Sequence, residues 1–158
     1  MSADAAVWPV LGLAALEGGA ALLANAAWRE YGDARLGCRV RYPRQLLPQP
    51  DAGEGRRFVS RNGELELLVY GARNEPRRDV RQALRDAHGA ARLAGLTCAP
   101  LAELGGNAFV LTWREGQRVC LRKTVLEANV FKTLEVRYPA RRRGYGSLAR
   151  RIVRAFPH

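Results

Sequence analysis

The chain is poor in the residues that do chemistry. Among 158 residues it has two histidines, three cysteines and one methionine. His158 is the last residue, and His88 follows Ala87 in a helical stretch with no Cys, His or carboxylate at ligand spacing, so no metal centre is expected. Cys38, Cys98 and Cys120 are odd in number and also lack ligand spacing. Each lies in an apolar strand context and reads as a small buried hydrophobe, with one disulfide open to an exported chain. Ser60 and Ser147 lack the Gly-x-Ser-x-Gly surroundings of a nucleophile elbow. Gly105-Gly106-Asn107 lacks the Lys-Ser/Thr ending of a phosphate loop and leads into a strand. Glu64 and Glu66 share a strand face, as acid–base work would need, but their place beside a turn predicts a solvent-facing pair. Neither an enzyme nor a cofactor is expected.

A long uninterrupted apolar run is missing too. The segment VWPVLGLAALEGGAALLANAA carries Glu17 in its middle, which argues against a transmembrane helix. No Lys or Arg precedes it, and Asp4 is acidic, so it makes a poor export signal despite Ala24-Asn25-Ala26, which resembles a peptidase site. Residues 1–27 therefore read as an atypical signal, with an Ala-rich N-terminal helix as the alternative, and residues 28–158 as one domain. Leu36-Gly37-Cys38 resembles the end of a lipoprotein box, but Arg35 stands where that box wants an aliphatic residue. Acidic residues are scarce as well: 15 against 26 basic ones, a net charge of +11. Only Lys123 and Lys132 are lysines. An arginine excess of this kind attracts polyanions through its summed field, and a GC-rich genome produces it without selection for binding.

What the chain does have is strand alternation. Arg118 to Pro139 reads as two strands joined at Glu127-Ala128-Asn129, with Val119, Leu121 and Val125 set against Arg118, Arg122 and Thr124. After the turn Val130, Leu134, Val136 and Tyr138 fall on one face. Lys132 interrupts that row, which suggests a sheet edge where its ammonium reaches water. Gly37 opens a strand whose inward face is Cys38, Val40 and Tyr42, and residues 44–55 read as a loop. Arg57 to Ser60 and Glu64 to Tyr70 form a hairpin around Asn62-Gly63. A helix from Arg77 to about Leu93, begun near Asn74 and Pro76, shows Val80, Leu84, Ala87 and Ala91 at helical spacing. Strands are expected over Leu96–Leu104 and Ala108–Arg114. A final helix reaches Phe156, with Leu148, Ile152 and Phe156 inward.

These residues resemble a known pattern. One half is Tyr31, then Gly37 to Pro43, Gly55 to Gly63, and Leu68 to Gly71 with Asn74; the other is Arg122 to Thr124, Phe131 to Pro139, Tyr145 and the last helix. Together they are similar to uncharacterised exported proteins of proteobacteria with the PsbP-like fold. Better-known members are the extrinsic PsbP subunit of photosystem II, a Ran-binding nuclear import factor and mycobacterial lipoproteins. The resemblance implies an α/β (α+β) domain, a central antiparallel sheet flanked by helices, and a binding or assembly role without a shared catalytic motif. Cys38 stands where the pattern more often has an aromatic.

The expected function is that of a non-enzymatic periplasmic or secreted protein. Its partner would be another protein or an anionic envelope polymer; the alternative is a cytosolic polyanion- or nucleic-acid-binding module. The candidate binding residues are Arg141, Arg142 and Arg143, with Arg150, Arg151 and Arg154 on the last helix. A second group is Arg39 and Arg41, with Arg56, Arg57 and Arg61 nearby in sequence. Nucleic-acid binders interleave exposed aromatics with such residues, whereas Phe131, Tyr138 and Phe156 are expected in the core.

Overall fold

The structure, a computed structural model, describes residues 27–50, 55–99 and 106–157. The expected signal-like segment up to Ala26, and residues 100–104 of the expected strand, lie outside them. A two-stranded ribbon comes first: β1 (Trp28–Asp33) pairs antiparallel with β2 (Cys38–Pro43). Next come β3 (Leu47–Pro48), β4 (Gly55–Val59), β5 (Glu66–Arg73), helix α1 (Val80–Leu93), β6 (Thr97–Cys98), β7 (Ala108–Glu115), β8 (Arg118–Glu127), β9 (Val130–Pro139) and helix α2 (Arg143–Arg154). The seven later strands form one antiparallel sheet in the order β3-β4-β5-β9-β8-β7-β6.

The β8–β9 hairpin is the centre of that sheet. Its turn is only two residues long, because Glu127 already pairs with Val130. Ala128 and Asn129 both take left-handed φ, 49° and 61°, which matches the twist of the strands they join. The expected third turn residue, Glu127, belongs to the strand. β9 is flanked on both sides, so Lys132 is not at a sheet edge: it is buried, and its Nζ donates to Gly37 O at 2.9 Å and pairs with Glu127 at 2.5 Å. Lys123 behaves alike on β8, where its Nζ donates to Val153 O at 3.3 Å and to Phe156 O. Both lysines of the chain thus cross the apolar face to hold what covers it. Lys123 closes the C-terminus of α2, where carbonyls lack partners, and Lys132 ties down the β1–β2 turn.

That apolar face is closed by the ribbon and by α2. Tyr145, Leu148, Ala149, Ile152, Val153 and Phe156 recur at helical spacing and bury against Leu67, Val69, Leu134 and Val136 of the sheet. Each large side chain buried there contributes about 1.5–3 kcal/mol. The ribbon contributes Cys38, Val40 and Tyr42, and Tyr42 and Tyr31 both pack on Phe58, at 4.5 and 5.5 Å between centroids. Gly71 on β5 accepts Leu36 of the ribbon turn; a Cβ there would fall 2.2 Å from Leu36 Cδ2.

The opposite face is covered by α1 over β6 and β7. Ala83, Phe109 and Phe131 make one cluster there, and Leu111, Trp113 and Cys120 another. Asp79 starts α1 by accepting from the Gln82 N–H at 2.7 Å, three residues later than a helix beginning at Pro76. Asn74 instead folds the connector. Its side chain accepts from the Arg78 N–H at 2.9 Å and donates to Arg78 O at 2.8 Å.

Candidate functional site

The arginines gather in two regions of different character. From Val136 to His158 the chain has seven arginines and no acid. The periodicity that buries Leu148 and Ile152 turns Ser147, Arg150, Arg151 and Arg154 outward along α2. These four side chains and Ala155 line an open depression of about 530 Å³. Arg150 Nη2 donates to Ser147 Oγ at 3.3 Å, and Arg151 stacks on Trp28 of β1 with its guanidinium 4.7 Å from the ring centroid. Arg151 and Arg154 sit in the last turn, where a cation complements the helix dipole. Among the described residues no carboxylate pairs with Arg143, Arg150 or Arg154.

The second region lies on the polar part of the sheet and at its end. Glu135 on β9 is only 1% exposed and is gripped from both sides. Arg122 reaches Oε2 through Nε at 2.9 Å and Nη2 at 2.8 Å; Arg137 reaches Oε1 through Nε at 2.6 Å and Nη2 at 2.5 Å. Two such forks give charge-assisted bonds to every lone pair of a carboxylate that has lost its water. Burial opposes the charge on Arg137, but Glu135 outweighs it and raises its pKa above the ordinary guanidinium value. Cys120, opposite Arg137 in the register, is not acidified by that cation: burial pushes its thiol up to about 11. Arg122 also lies over Trp113, 4.7 Å from the ring centroid.

Glu64 and Glu66 are the other anchors, and they are not the solvent-facing pair expected from their place near the turn. Their side chains are 15% and 13% exposed. Arg57 Nε donates to Glu66 at 2.6 Å and Arg142 Nη2 to Glu64 at 2.7 Å. Glu64 also accepts from Asn62, which donates to the buried Tyr145 hydroxyl at 3.2 Å as well. Arg118 and Arg141 stand further off, at 3.6 Å from Glu66 and 3.7 Å from Glu64. The two arginine groups that are separate in sequence, one around Arg57 and one at residues 141–143, are therefore joined through Glu64, Glu66 and Arg118.

Arg143, Arg150, Arg151 and Arg154 share the outer side of α2; Arg141 borders the sheet end; Arg142 is committed to Glu64 and 16% exposed. Arg39 and Arg41 point outward from the ribbon, Arg39 at 3.6 Å from Glu30. The sequence reading passed over Arg118, Arg122 and Arg137. Counting back from a two-residue turn would have found the Arg122–Glu135 pair, because it sets the two opposite one another, but not Arg118 or Arg137, which face Pro139 and Cys120. Cys98 is half-buried rather than buried, and all three thiols are free. Among the described residues no group of His, Cys, Asp or Glu is placed to hold a metal, and no helix is long and apolar enough to cross a membrane.

No family model matches the chain, and no curated protein does. Solved structures do. The fold is similar to the solution structure of cyanobacterial PsbP (CyanoP) from Synechocystis sp. PCC 6803, with a TM-score of 0.66 at 13% identity, covering 84% of this chain and 92% of that one. It is also similar to the crystal structure of the Saccharomyces cerevisiae Ran-binding protein Mog1p, with a TM-score of 0.61 at 12% identity over 82% and 94% of the two chains. A point mutant of Mog1 follows at 0.57 and 11% identity, over 81% and 94%. The mixed α+β fold expected from the residue pattern is the one these structures share.

Proposed function

We propose that the chain is a non-enzymatic binding module that docks an anionic partner, a protein or an envelope polymer, on the outer side of α2. The observation that carries this reading is the row Arg143, Arg150 and Arg154, which has no carboxylate partner among the described residues although nearby arginines do. Guanidinium forks in an open depression suit carboxylate or phosphate groups spaced along a chain. Mog1p, similar in fold, is described as Ran-binding, in keeping with a protein-binding role. In this proposal residues 28–158 act as one domain exported to the periplasm, with the apolar segment as its signal.

Polyglutamate and polyphosphate serve as probes, followed by fluorescence anisotropy across a salt series. Affinity should fall steeply with salt, and Arg150→Glu with Arg154→Glu should flatten that slope. Binding that survives high salt, or is unchanged by the double reversal, removes the reading. The compartment is tested separately: the N-terminal sequence of the mature protein should begin near Ala27, in the fraction outside the cytoplasm, and an intact Met1 or Ser2 in the cytosol would refute export.

A specific feature keeps the nucleic-acid alternative in view. Arg151 over Trp28 is an aromatic–guanidinium pair on the same side, the kind of platform on which a base stacks. A single-stranded oligonucleotide bound more tightly than polyphosphate, with the preference lost in Trp28→Ala, would favour that reading over the first.

A further inference from the structure

Four arginines surround two glutamates at the end of the sheet, and the distances divide them unequally. Arg57 holds Glu66 at 2.6 Å and Arg142 holds Glu64 at 2.7 Å, both within hydrogen-bond range. Arg118 and Arg141 are left at 3.6 and 3.7 Å, beyond it. Nor does Arg118 find full compensation elsewhere: Nη2 makes a long 3.4 Å bond to Glu64 O, and its buried Nε has no hydrogen-bond partner among the described residues. A buried guanidinium N–H without a partner is costly and uncommon. Arg141 is 76% exposed and has only the distant Glu64 carboxylate facing it among the described residues.

Both of these under-paired arginines open on one cavity. Gly63, Glu64, Gln117, Arg118, Pro139 and Arg141 line a recess of about 350 Å³ where the β4–β5 turn, the β7–β8 turn and the end of β9 meet. The Ala140 N–H donates to Gln117 O at 2.8 Å, which ties the β7–β8 turn to the end of β9. Among the described residues Glu64 is the one carboxylate on that lining, and Arg142 and Asn62 already engage it. The recess therefore carries two guanidiniums in excess of its bonded anions.

We propose that this recess is a binding site for a single oxyanion, a carboxylate or phosphate group, held between Arg118 and Arg141. It is separate from the α2 depression, and it calls for a compact anion rather than an extended polymer. A forked oxyanion would accept from the accessible Nη side of Arg118, whose Nη2 has only a long 3.4 Å bond, and draw in the solvent-exposed Arg141. The surrounding Arg57–Glu66 and Arg142–Glu64 pairs would stay as they are.

The test uses inorganic phosphate and citrate, each against sodium chloride at matched ionic strength, with NMR shift perturbation of the arginine side-chain N–H resonances and thermal melting. Phosphate or citrate should shift Arg118 Nε–H saturably and raise the melting temperature. Arg141→Gln, at an exposed position, should fold normally and bind at least tenfold more weakly, whereas Arg150→Gln with Arg154→Gln should leave the effect intact. Saturation by phosphate alone identifies a phosphate site, and by citrate alone a carboxylate site. The proposal is overturned if neither anion acts beyond the chloride control, or if the effect follows Arg150 and Arg154 instead of Arg141.

Discussion

Arg142 and Arg143 are neighbours in the chain and belong to different kinds of surface. Arg142 turns inward onto Glu64, while Arg143 begins a helix whose outer side carries Arg150 and Arg154, and none of these three pairs with a carboxylate among the described residues. On the sheet three arginines hold glutamates closely: Arg122 and Arg137 hold Glu135, and Arg57 holds Glu66. Both places are rich in arginine. What differs is whether folding has already supplied the counter-ion. A guanidinium with a buried carboxylate is a cross-link between strands, and one without is available to a partner.

The largest effect should come from the cross-links. Replacing Arg122 and Arg137 together by Met leaves Glu135 buried and unpaired, which is expected to cost about 3–5 kcal/mol in urea unfolding. Adding Glu135→Leu should restore most of that loss, since a well-packed apolar group removes the stranded charge. A double variant as stable as the parent would show that the pair is not a structural unit.

Arg142→Ala should come next. It strips a charge-assisted bond from a largely buried glutamate, at a cost of about 1–3 kcal/mol. Arg141→Ala, one residue earlier and mostly exposed, should change stability by less than about 0.5 kcal/mol. Equal losses at the two positions would erase the distinction drawn between them.

Much of this was legible in the sequence, and the reasons for the remainder are physical. Period-two alternation located β2, β4, β5, β7, β8 and β9, because each has one face committed to the core. β1 was missed: WREYGD has no apolar alternation, and the ribbon is held by Trp28 and Tyr31 packing at its margins. Lys123 and Lys132 looked like defects in apolar rows. They reach carbonyls that become neighbours only after α2 and the ribbon dock. The glutamate anchors were hidden for a related reason. A single residue of turn length decides which side chains oppose one another, and a three-residue turn at 127–129 would put Arg122 opposite Leu134.

The thiols offer a smaller test of the same distinction. Burial pushes the Cys120 thiol up to about 11, outweighing the lowering that the facing Arg137 cation supplies. Native protein at mildly alkaline pH should therefore be alkylated first at half-buried Cys98, with Cys120 and Cys38 protected until unfolding. Because the folded pKa of Cys120 lies above its ordinary value of 9.0, its contribution to stability is complete below pH 9.0 and is lost as pH rises through about 11. Ready alkylation of Cys120 in the folded state would mean that burial does not protect it.

A small structural effect and the largest functional one should coincide at Arg150 and Arg154. The most direct measurement is polyglutamate binding and urea unfolding on one preparation of Arg150→Glu with Arg154→Glu. Unfolding should stay within about 1 kcal/mol of the parent, the size of a charge effect at a helix C-terminus, while affinity falls by about tenfold or more, equivalent to ~1.4 kcal/mol. Unchanged affinity, or a loss of stability as large as that of Arg142→Ala, would contradict the assignment of the outer side of α2 as the open binding surface.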